Sequence, residues 1–557
     1  MAVPPPDVNY TLSPAELEQL KPYGEIIHHE TGDVLIQEGA RNLDCLVTLS
    51  GHTDIIAETS EGTRRLGWME AGQFAGDITV LTGQASLVRV EMGNAGEVLH
   101  IPHDKFKRVL VENSGLSDVF VRTFTARRQF GHESGMSTVV VIGESYDRET
   151  FVSRNLLAVH GVPHVWLDPT GDALADQVMR ARGVDAADLP VVLRGASLVM
   201  KKPSLSNLSE AFGLDLLPDG ACADVIVVGA GPGGLASSVY AASEGLSVLT
   251  LDIRGPGGQA GTSSKIENYL GFPMGISGQE LADRASIQAQ KFGARIAAPV
   301  KVCSLDRNGD DYRLSLEDGR KLNSRAVVIA TGAQYRKLPL DKLEQFEGRG
   351  IYYGATAMEA QLCRGSEVAM VGAGNSAGQG AVFLAKTVKA VHLVYRREDI
   401  RETMSEYLVR RLEETPNIHL HPASKIAKLH GEERLEAIDL ETRGQPVRLE
   451  TPFVFLFLGA APFTEWLPKD MSCSETGFVK TGADLANLDL VKAGWPLERM
   501  PTRFETSWPR IYAVGDARVG SVKRVASAVG EGSVVVSDIH AALSETDAAA
   551  PAESKAV

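Results

Sequence analysis

The sequence predicts a multi-domain chain: an N-terminal β jelly roll, a small α/β domain, and two Rossmann-like α/β(β) domains. Three observations predict this. Residues 11–110 carry short apolar runs broken by glycine turns, such as "GEIIHHETGDVLIQEG" and "LGWMEAGQFAGDITVL", the pattern of an all-β barrel or jelly roll. Residues 137–214 alternate strand-like and helix-like segments, from "STVVVIG" to "NLSEAFGL". From residue 224 onward a strand–glycine turn–helix–strand unit occurs twice, the signature of dinucleotide-type βαβ folds. The expected boundaries are 1–130 for the β domain and 136–214 for the α/β domain. Two segments, 222–340 and 462–545, build the first nucleotide domain, and 345–461 the second.

The remaining elements follow in order. Residues 1–8 are Pro-rich and expected to be loose, and a helical stretch, "HDKFKRVLVENSGLSDVFVRTFTARRQF", closes the β domain. The tail "ETDAAAPAESKAV" reads as disordered. The composition is that of a soluble globular protein, 44% hydrophobic and 23% charged, with a net charge of -15. That acidity argues against nucleic acid or an anionic membrane as a general partner. The N-terminus lacks a basic region followed by an apolar core, and no apolar run reaches the ~18 residues of a membrane span. The expected location is cytoplasmic. The five cysteines, Cys45, Cys222, Cys303, Cys363 and Cys473, form no CxxC pair, so a disulfide framework is not expected. No metal site is expected.

The first glycine turn is Gly229-x-Gly231-x-x-Gly234, between a strand at 224–228 and a helix. Its glycines allow a tight turn and close approach of a pyrophosphate to the helix N-terminus. Asp252 ends the next strand, 18 residues past Gly234, where a carboxylate accepts from a ribose hydroxyl. Further stretches identify the ligand by likeness. "GPGGQAGTSSKIENYLGFP" (255–273), "AVVIATGA" (326–333) and "RIYAVGDARVGSVKRVASAVGEG" (510–532) resemble the flavin loop, crossing strand and C-terminal signature of low-molecular-weight thioredoxin reductases. The resemblance covers about residues 222–545. It implies FAD, held by Gly229, Gly231, Pro232, Gly233, Gly234 and Asp252. It adds Gly258, Gln259, Thr262 and Asn268 from the loop, and Ala330, Thr331 and Gly332 from the crossing. From the signature it adds Gly515, Asp516 beside the ribitol, and Lys523, Arg524 and Val525 at a helix N-terminus facing the pyrimidine edge. A positive helix end there stabilises an anionic reduced flavin.

The second turn, Gly372-x-Gly374-x-x-Ala377, opens a helix at Asn375 and Ser376. The following strand ends in Tyr395-Arg396-Arg397, with Arg401 four residues on and no ribose acid. Guanidinium groups suit a 2′-phosphate, so NADPH is expected over NADH. The family pattern is H-R-R-x-x-x-R; Tyr395 replaces its histidine. A charge run paired with its own acids is the competing reading.

Family members carry two catalytic cysteines just before the second turn. Here "EGRGIYYGATAMEA" holds that place, with Gly354 and Ala357 at the cysteine positions. Thiolate chemistry needs sulfur, so no catalytic residue is assigned there. The two small residues either open space over the flavin for an acceptor or keep a turn compact. Cys363, nine residues on, and Cys222 are isolated thiols.

Residues 11–130 resemble a cyclic-nucleotide-binding domain. "GQFAGDITVLTGQASLVRV" (72–90) aligns with its phosphate cassette, but Gln84 and Ala85 stand where Arg and Ser/Thr are usual, and Gly76-Asp77 replaces Gly-Glu. Strand alternation puts Arg89 on the wrong side to substitute. Without the Arg the charge-assisted phosphate contact is lost, so cyclic nucleotide is a doubtful ligand and a docking or dimerisation role is expected. Residues 137–214 resemble a thioredoxin or glutaredoxin fold. "DLPVVLRG" (188–195) fits its proline-initiated strand, implying a cis bond at Leu189-Pro190, and "IGESYDRET" (142–150) fills the CxxC position. The carboxylates of "ESYDRE" read as a solvated helix start.

The expected function is an NADPH-dependent FAD oxidoreductase without its dithiol, serving an unidentified acceptor, protein or small molecule. The alternatives are a non-catalytic flavin or pyridine-nucleotide redox sensor, and a disulfide reductase using the single thiol of Cys363 or Cys222. The resemblance implies a homodimer, and a swing of the NADPH domain between half-reactions.

Overall fold

The computed structural model describes residues 6–59, 62–133, 138–196, 198–215, 217–263, 265–335, 337–458 and 460–549. The N-terminal part is two antiparallel four-stranded sheets. One runs Glu25–His29, Gly96–Ile101, Cys45–Thr48, Phe74–Ala75; the other Val34–Ile36, Arg89–Asn94, His52–Thr59, Gly62–Met69. Between them and the helices His103–Glu112 and Ser114–Glu133, Phe74, Phe106, Phe120 and Phe124 pack fully buried. Phe74 and Phe120 lie 4.5 Å apart, centroid to centroid, within the range of favourable aromatic pairs.

The α/β unit has four strands ordered Val165–Leu167, Val139–Ile142, Val191–Arg194, Leu198–Lys201. The first pair is parallel and the other two pairs antiparallel. The helices Arg148–Val159, Ala173–Arg182 and Leu205–Phe212 complete it. The Leu189–Pro190 peptide is cis.

Strand Cys222–Val228 sits in a seven-stranded sheet, parallel to Val248–Leu251 on one side and Lys321–Ile329 on the other. The late strand Ile511–Ala513 pairs with Lys321–Ile329, so two distant segments share one sheet. The last helix, Val525–Ala549, lies on helix Pro232–Ser243. They meet so closely that a Cβ at Gly532 would stand 2.1 Å from the Gly233 carbonyl oxygen. A second, five-stranded parallel sheet is ordered Ile351–Tyr352, Phe453–Leu456, Glu367–Val371, Ala390–Val394, Ile418–His421. Strands Ala333–Tyr335 and Ala460–Pro462 pair where the chain crosses between these two halves.

Two terminal expectations need correction. The tail is helical as far as Ala549, because its alanines extend the preceding helix; residues 550–557 lie outside the described residues. Pro6–Asn9 forms a 3₁₀ turn, held by Arg127, whose Nε donates to the Val8 carbonyl at 3.0 Å. Residues 1–5 also lie outside the described residues. Among the described residues no helix is long and apolar enough to cross a membrane, and no cluster suits a metal ion.

Candidate functional site

Both glycine turns are shaped by backbone crowding. At Gly229, with φ 111°, a Cβ would stand 2.2 Å from the Ala330 carbonyl oxygen; at Gly372 it would stand 2.6 Å from that of Phe457. Only glycine fits. The N-cap positions differ: beside Gly374 there is nothing within 4 Å, and beside Gly231 only Gly258 Cα at 3.9 Å. Each opens a helix whose first-turn amides meet no capping side chain among the described residues. Such amides need an acceptor, the role a phosphate plays at a helix N-terminus.

The first turn is tied from behind by Asp252. Its Oδ2 accepts from Ala230 N at 2.8 Å, and its Oδ1 from Arg254 N at 2.8 Å and Gly255 N at 3.0 Å. Oδ2 carries a single amide bond and keeps a lone pair for a hydroxyl. In the loop that follows, Gln259 donates to the Ala333 carbonyl, and Thr262 Oγ1 to the Gln259 carbonyl at 2.8 Å. Asn268 is exposed. Thr331 Oγ1 donates to the Phe463 carbonyl at 3.0 Å, beside the buried Ala330 and the positive-φ Gly332. The Gly515 amide donates to Glu531 at 2.7 Å, and Glu531 also pairs with Arg518. Burial pushes the Asp516 carboxyl up, while Lys523 opposes that shift. Lys523 lies 4.8 Å over the Phe478 ring, Arg524 is exposed, and Val525 begins the last helix.

The second turn is tied by different groups. Asn375 Nδ2 donates to Ser405 Oγ at 2.9 Å, its Oδ1 accepts from Ser405 N at 2.7 Å, and Thr403 Oγ1 donates to the Ala373 carbonyl at 2.7 Å. Segment 403–405 thus ties down the turn at Ala373 and Asn375, next to Ser376. The three arginines separate. Arg397 pairs with Glu402, and Arg401 with Glu413 at 2.8 Å and Glu406 at 3.6 Å. Exposed Arg396 has no ion pair among the described residues.

Between the turns, Gly354 is buried, and a Cβ on it would meet Thr262 Cβ at 2.9 Å. The segment is therefore compact rather than open, and it presses on the loop expected to hold the flavin. Ala357 begins the helix Ala357–Leu362, capped by Thr356 and by Glu359, whose Oε2 accepts from Thr356 N at 2.8 Å. Glu359 is 6% exposed, and burial pushes its carboxyl up. Cys363 is fully buried, its thiol pushed up to about 12.

Sequence reasoning missed what packs against this segment. The α/β unit delivers Tyr146, stacked 6.0 Å from Phe453 and 4.5 Å under Arg434, and Phe151, 5.4 Å from Tyr352. Arg154 follows from the same helix, and its charge acts on Glu359. The carboxylates of "ESYDRE" do form a solvated helix start, with Glu144 and Glu149 exposed and Asp147 capping the helix through Thr150 N at 2.7 Å, while the tyrosine among them is an inter-unit contact. The signal available was an aromatic residue inside a polar loop.

The other end of the unit meets the barrel's cassette. Gln84 Nε2 donates to the His160 carbonyl at 3.1 Å, Ala85 N to the Phe212 carbonyl at 3.0 Å, and Arg128 to the Gly161 carbonyl. Asp77 pairs with Arg128 at 3.4 Å, and Arg89 with Glu91 at 3.0 Å. Thr79, Gln84, Ala85, Leu87, Val162 and Phe212 close together there with no room for a water molecule.

Two parts of the chain match known protein families. The model of the family "Pyridine nucleotide-disulphide oxidoreductase" matches residues 223–532, and that of the cyclic nucleotide-binding domain matches 26–113. The chain is 30% identical over 313 residues to the thioredoxin reductase of Mycoplasmopsis pulmonis, covering 56% of this chain and 94% of that protein. It is 29% identical over 321 residues to that of Bacillus subtilis, covering 57% and 93%. The crystal structure of T. acidophilum thioredoxin reductase superposes with a TM-score of 0.51 at 26% identity, covering 57% of this chain and 98% of that one.

Proposed function

This chain belongs to the pyridine nucleotide-disulphide oxidoreductase family, and we propose that it is an NADPH-dependent FAD oxidoreductase whose electrons leave to an acceptor other than a dithiol. One observation carries the proposal: two glycine turns with unclaimed helix amides stand in a chain without a CxxC pair. The family implies FAD and NAD(P)H; bound FAD supplies hydride acceptance and onward electron delivery.

The chain's own residues supply binding and exclusion. Gly231, Gly233 and Gly234 present amides to a pyrophosphate, and Asp252 offers its spare lone pair to a ribose hydroxyl. Gly515, Asp516 and the start of helix Val525–Ala549 face the other end of the cofactor. At the second turn Gly374 leaves the phosphate approach open, and Arg396 is the guanidinium available for a 2′-phosphate. Phe151 packs on Tyr352, two residues before Gly354, and Tyr146 on Phe453 beside that tyrosine, so the α/β unit backs the segment that lacks the dithiol.

The single-thiol route is weakened twice. Cys363 stays protonated at neutral pH. Cys222 begins the strand that ends at Val228, which puts it roughly 20 Å from the glycine turn. The strand order of residues 136–214 supports reading them as a thioredoxin-like domain without its dithiol, and family likeness supports a cytoplasmic homodimer.

The test is anaerobic rapid mixing of the yellow protein with NADPH, followed by a panel of quinones and small electron-transfer proteins. Bleaching with steady turnover on an acceptor is expected, and no bleaching over minutes sinks the proposal. A redox sensor is the second reading, favoured by the contact of His160 with the loop after Asp252; it predicts bleaching without steady turnover.

A further inference from the structure

Helix Arg148–Val159 of the α/β unit ends at His160, and the chain turns through Gly161 at φ 63°. The turn 160–162 is seated in the barrel's cassette by Gln84 and Arg128, with Val162 filling the space beside Phe212. The His160 ring points the other way. Its Nε2 lies 3.2 Å from the Arg254 carbonyl. A carbonyl oxygen only accepts, so Nε2 carries the proton. Arg254 N and Gly255 N donate to Asp252 Oδ1, and Asp252 Oδ2 holds Ala230 in the first glycine turn. The approach is tight: a Cβ at Gly255 would stand 2.7 Å from Val159 Cγ2 and 3.1 Å from His160 Nε2. A continuous run of hydrogen bonds therefore joins Gln84, His160, Arg254, Asp252 and Ala230.

We propose that His160 is a positioning residue for the first nucleotide turn, and that the barrel's cassette, in place of a cyclic nucleotide, receives the 160–162 turn and so sets how tightly Asp252 and Ala230 hold FAD. The assignment of FAD rests on the function proposed above; the hold on the loop does not. The cassette's altered residues fit the new occupant. Gln84 offers an amide N–H to a carbonyl where an arginine would face a phosphate, and the Ala85 backbone amide serves Phe212.

Three full-chain variants test it: His160→Gln, which keeps a donor at similar reach; His160→Phe, which keeps bulk and loses the donor; and Gln84→Ala. FAD affinity is read by flavin fluorescence titration of deflavinated protein. Amide hydrogen exchange is read on peptides covering 229–231 and 252–256, with and without FAD. Losing one neutral hydrogen bond predicts a FAD affinity about 2- to 12-fold weaker in His160→Phe. A smaller loss is expected in Gln84→Ala, and values within about 2-fold of the parent in His160→Gln. Exchange in both peptides is expected to be faster in His160→Phe alone of the two histidine variants. Equal affinity and equal exchange in the Phe and Gln variants overturn the proposal. If the parent protein binds no FAD, the cofactor reading fails, while exchange still decides whether His160 holds the loop. Cyclic AMP is expected to leave FAD affinity unchanged; a shift on its addition overturns the cassette's part.

Discussion

The two glycine turns are built alike and supported differently. Each has a strand, a glycine that tolerates no Cβ, and a helix with uncapped amides. Behind the first stands a carboxylate with three backbone donors, in a loop touched by the α/β unit. The second is held by segment 403–405, whose Thr403 donates to the Ala373 carbonyl and whose Ser405 bonds Asn375, and its arginines lie in solvent, two of three already paired. The contrast teaches that the first turn is fixed before any ligand arrives, as suits a cofactor that stays. The second is tied by three side-chain hydrogen bonds to segment 403–405, while Arg396 beyond its second strand has no ion pair among the described residues.

The sharpest way to break this contrast is Asp252→Ala. It strands the Ala230, Arg254 and Gly255 amides, each bonded to a charged acceptor worth about 1.5–3 kcal/mol. Flavin affinity is expected to fall at least about 100-fold, read as the FAD to protein absorbance ratio. At the second turn the effect divides between two arginines. Arg396→Ala is expected to weaken NADPH about 10- to 100-fold with little change for NADH, whereas Arg397→Ala, whose charge already serves Glu402, is expected to change either by less than about 3-fold. Steady-state KM values for the two nucleotides check this pair.

Gly354→Ala tests the seam between the halves. Its Cβ meets Thr262 at 2.9 Å, so a loss of about 1–3 kcal/mol is expected in denaturant unfolding, with partial recovery in combination with Thr262→Ala. The smallest expected effect lies on helix Gly278–Lys291, which packs on the barrel's Thr79–Thr82 turn. Burial pushes the Asp283 carboxyl up to about 6, against the pull of Gln279 and Arg128. The folded state thus holds this proton more tightly than the unfolded one. Its contribution is greatest below the ordinary carboxylate range and is lost as pH rises through about 6. Asp283→Asn is expected to flatten stability across that window and to raise it by about 1–2 kcal/mol at pH 7, measured by unfolding at several pH values.

Local chemistry made much of the molecule legible. The glycine turns, Asp252 and the arginine cluster announce themselves because strand, turn and helix adjoin in sequence. The expectation that Gln84 and Ala85 stand where the cassette carries Arg and Ser/Thr is likewise read from adjacent residues. What packs against these positions is not legible, because the partners lie far along the chain. Gln84 meets His160, Phe151 meets Tyr352, and Thr262 meets Gly354. No periodicity marks such pairs, since each is fixed by how whole units dock. The tail misleads for the opposite reason: its composition resembles a linker, but alanines continue a helix already begun.

The closure of helix Val525–Ala549 onto helix Pro232–Ser243 has a consequence in time. About 300 residues separate the first glycine turn from the glycine that seals it, Gly532 against Gly233. At synthesis rates of about 5–20 residues per second, the nascent strand Cys222–Val228 waits roughly 15–60 s for Ile511–Ala513 and that helix to emerge. The barrel, the α/β unit and the inserted second sheet are all translated before the first nucleotide domain can close. The contact of Gly532 with Gly233 is therefore among the last that this chain can make during its synthesis.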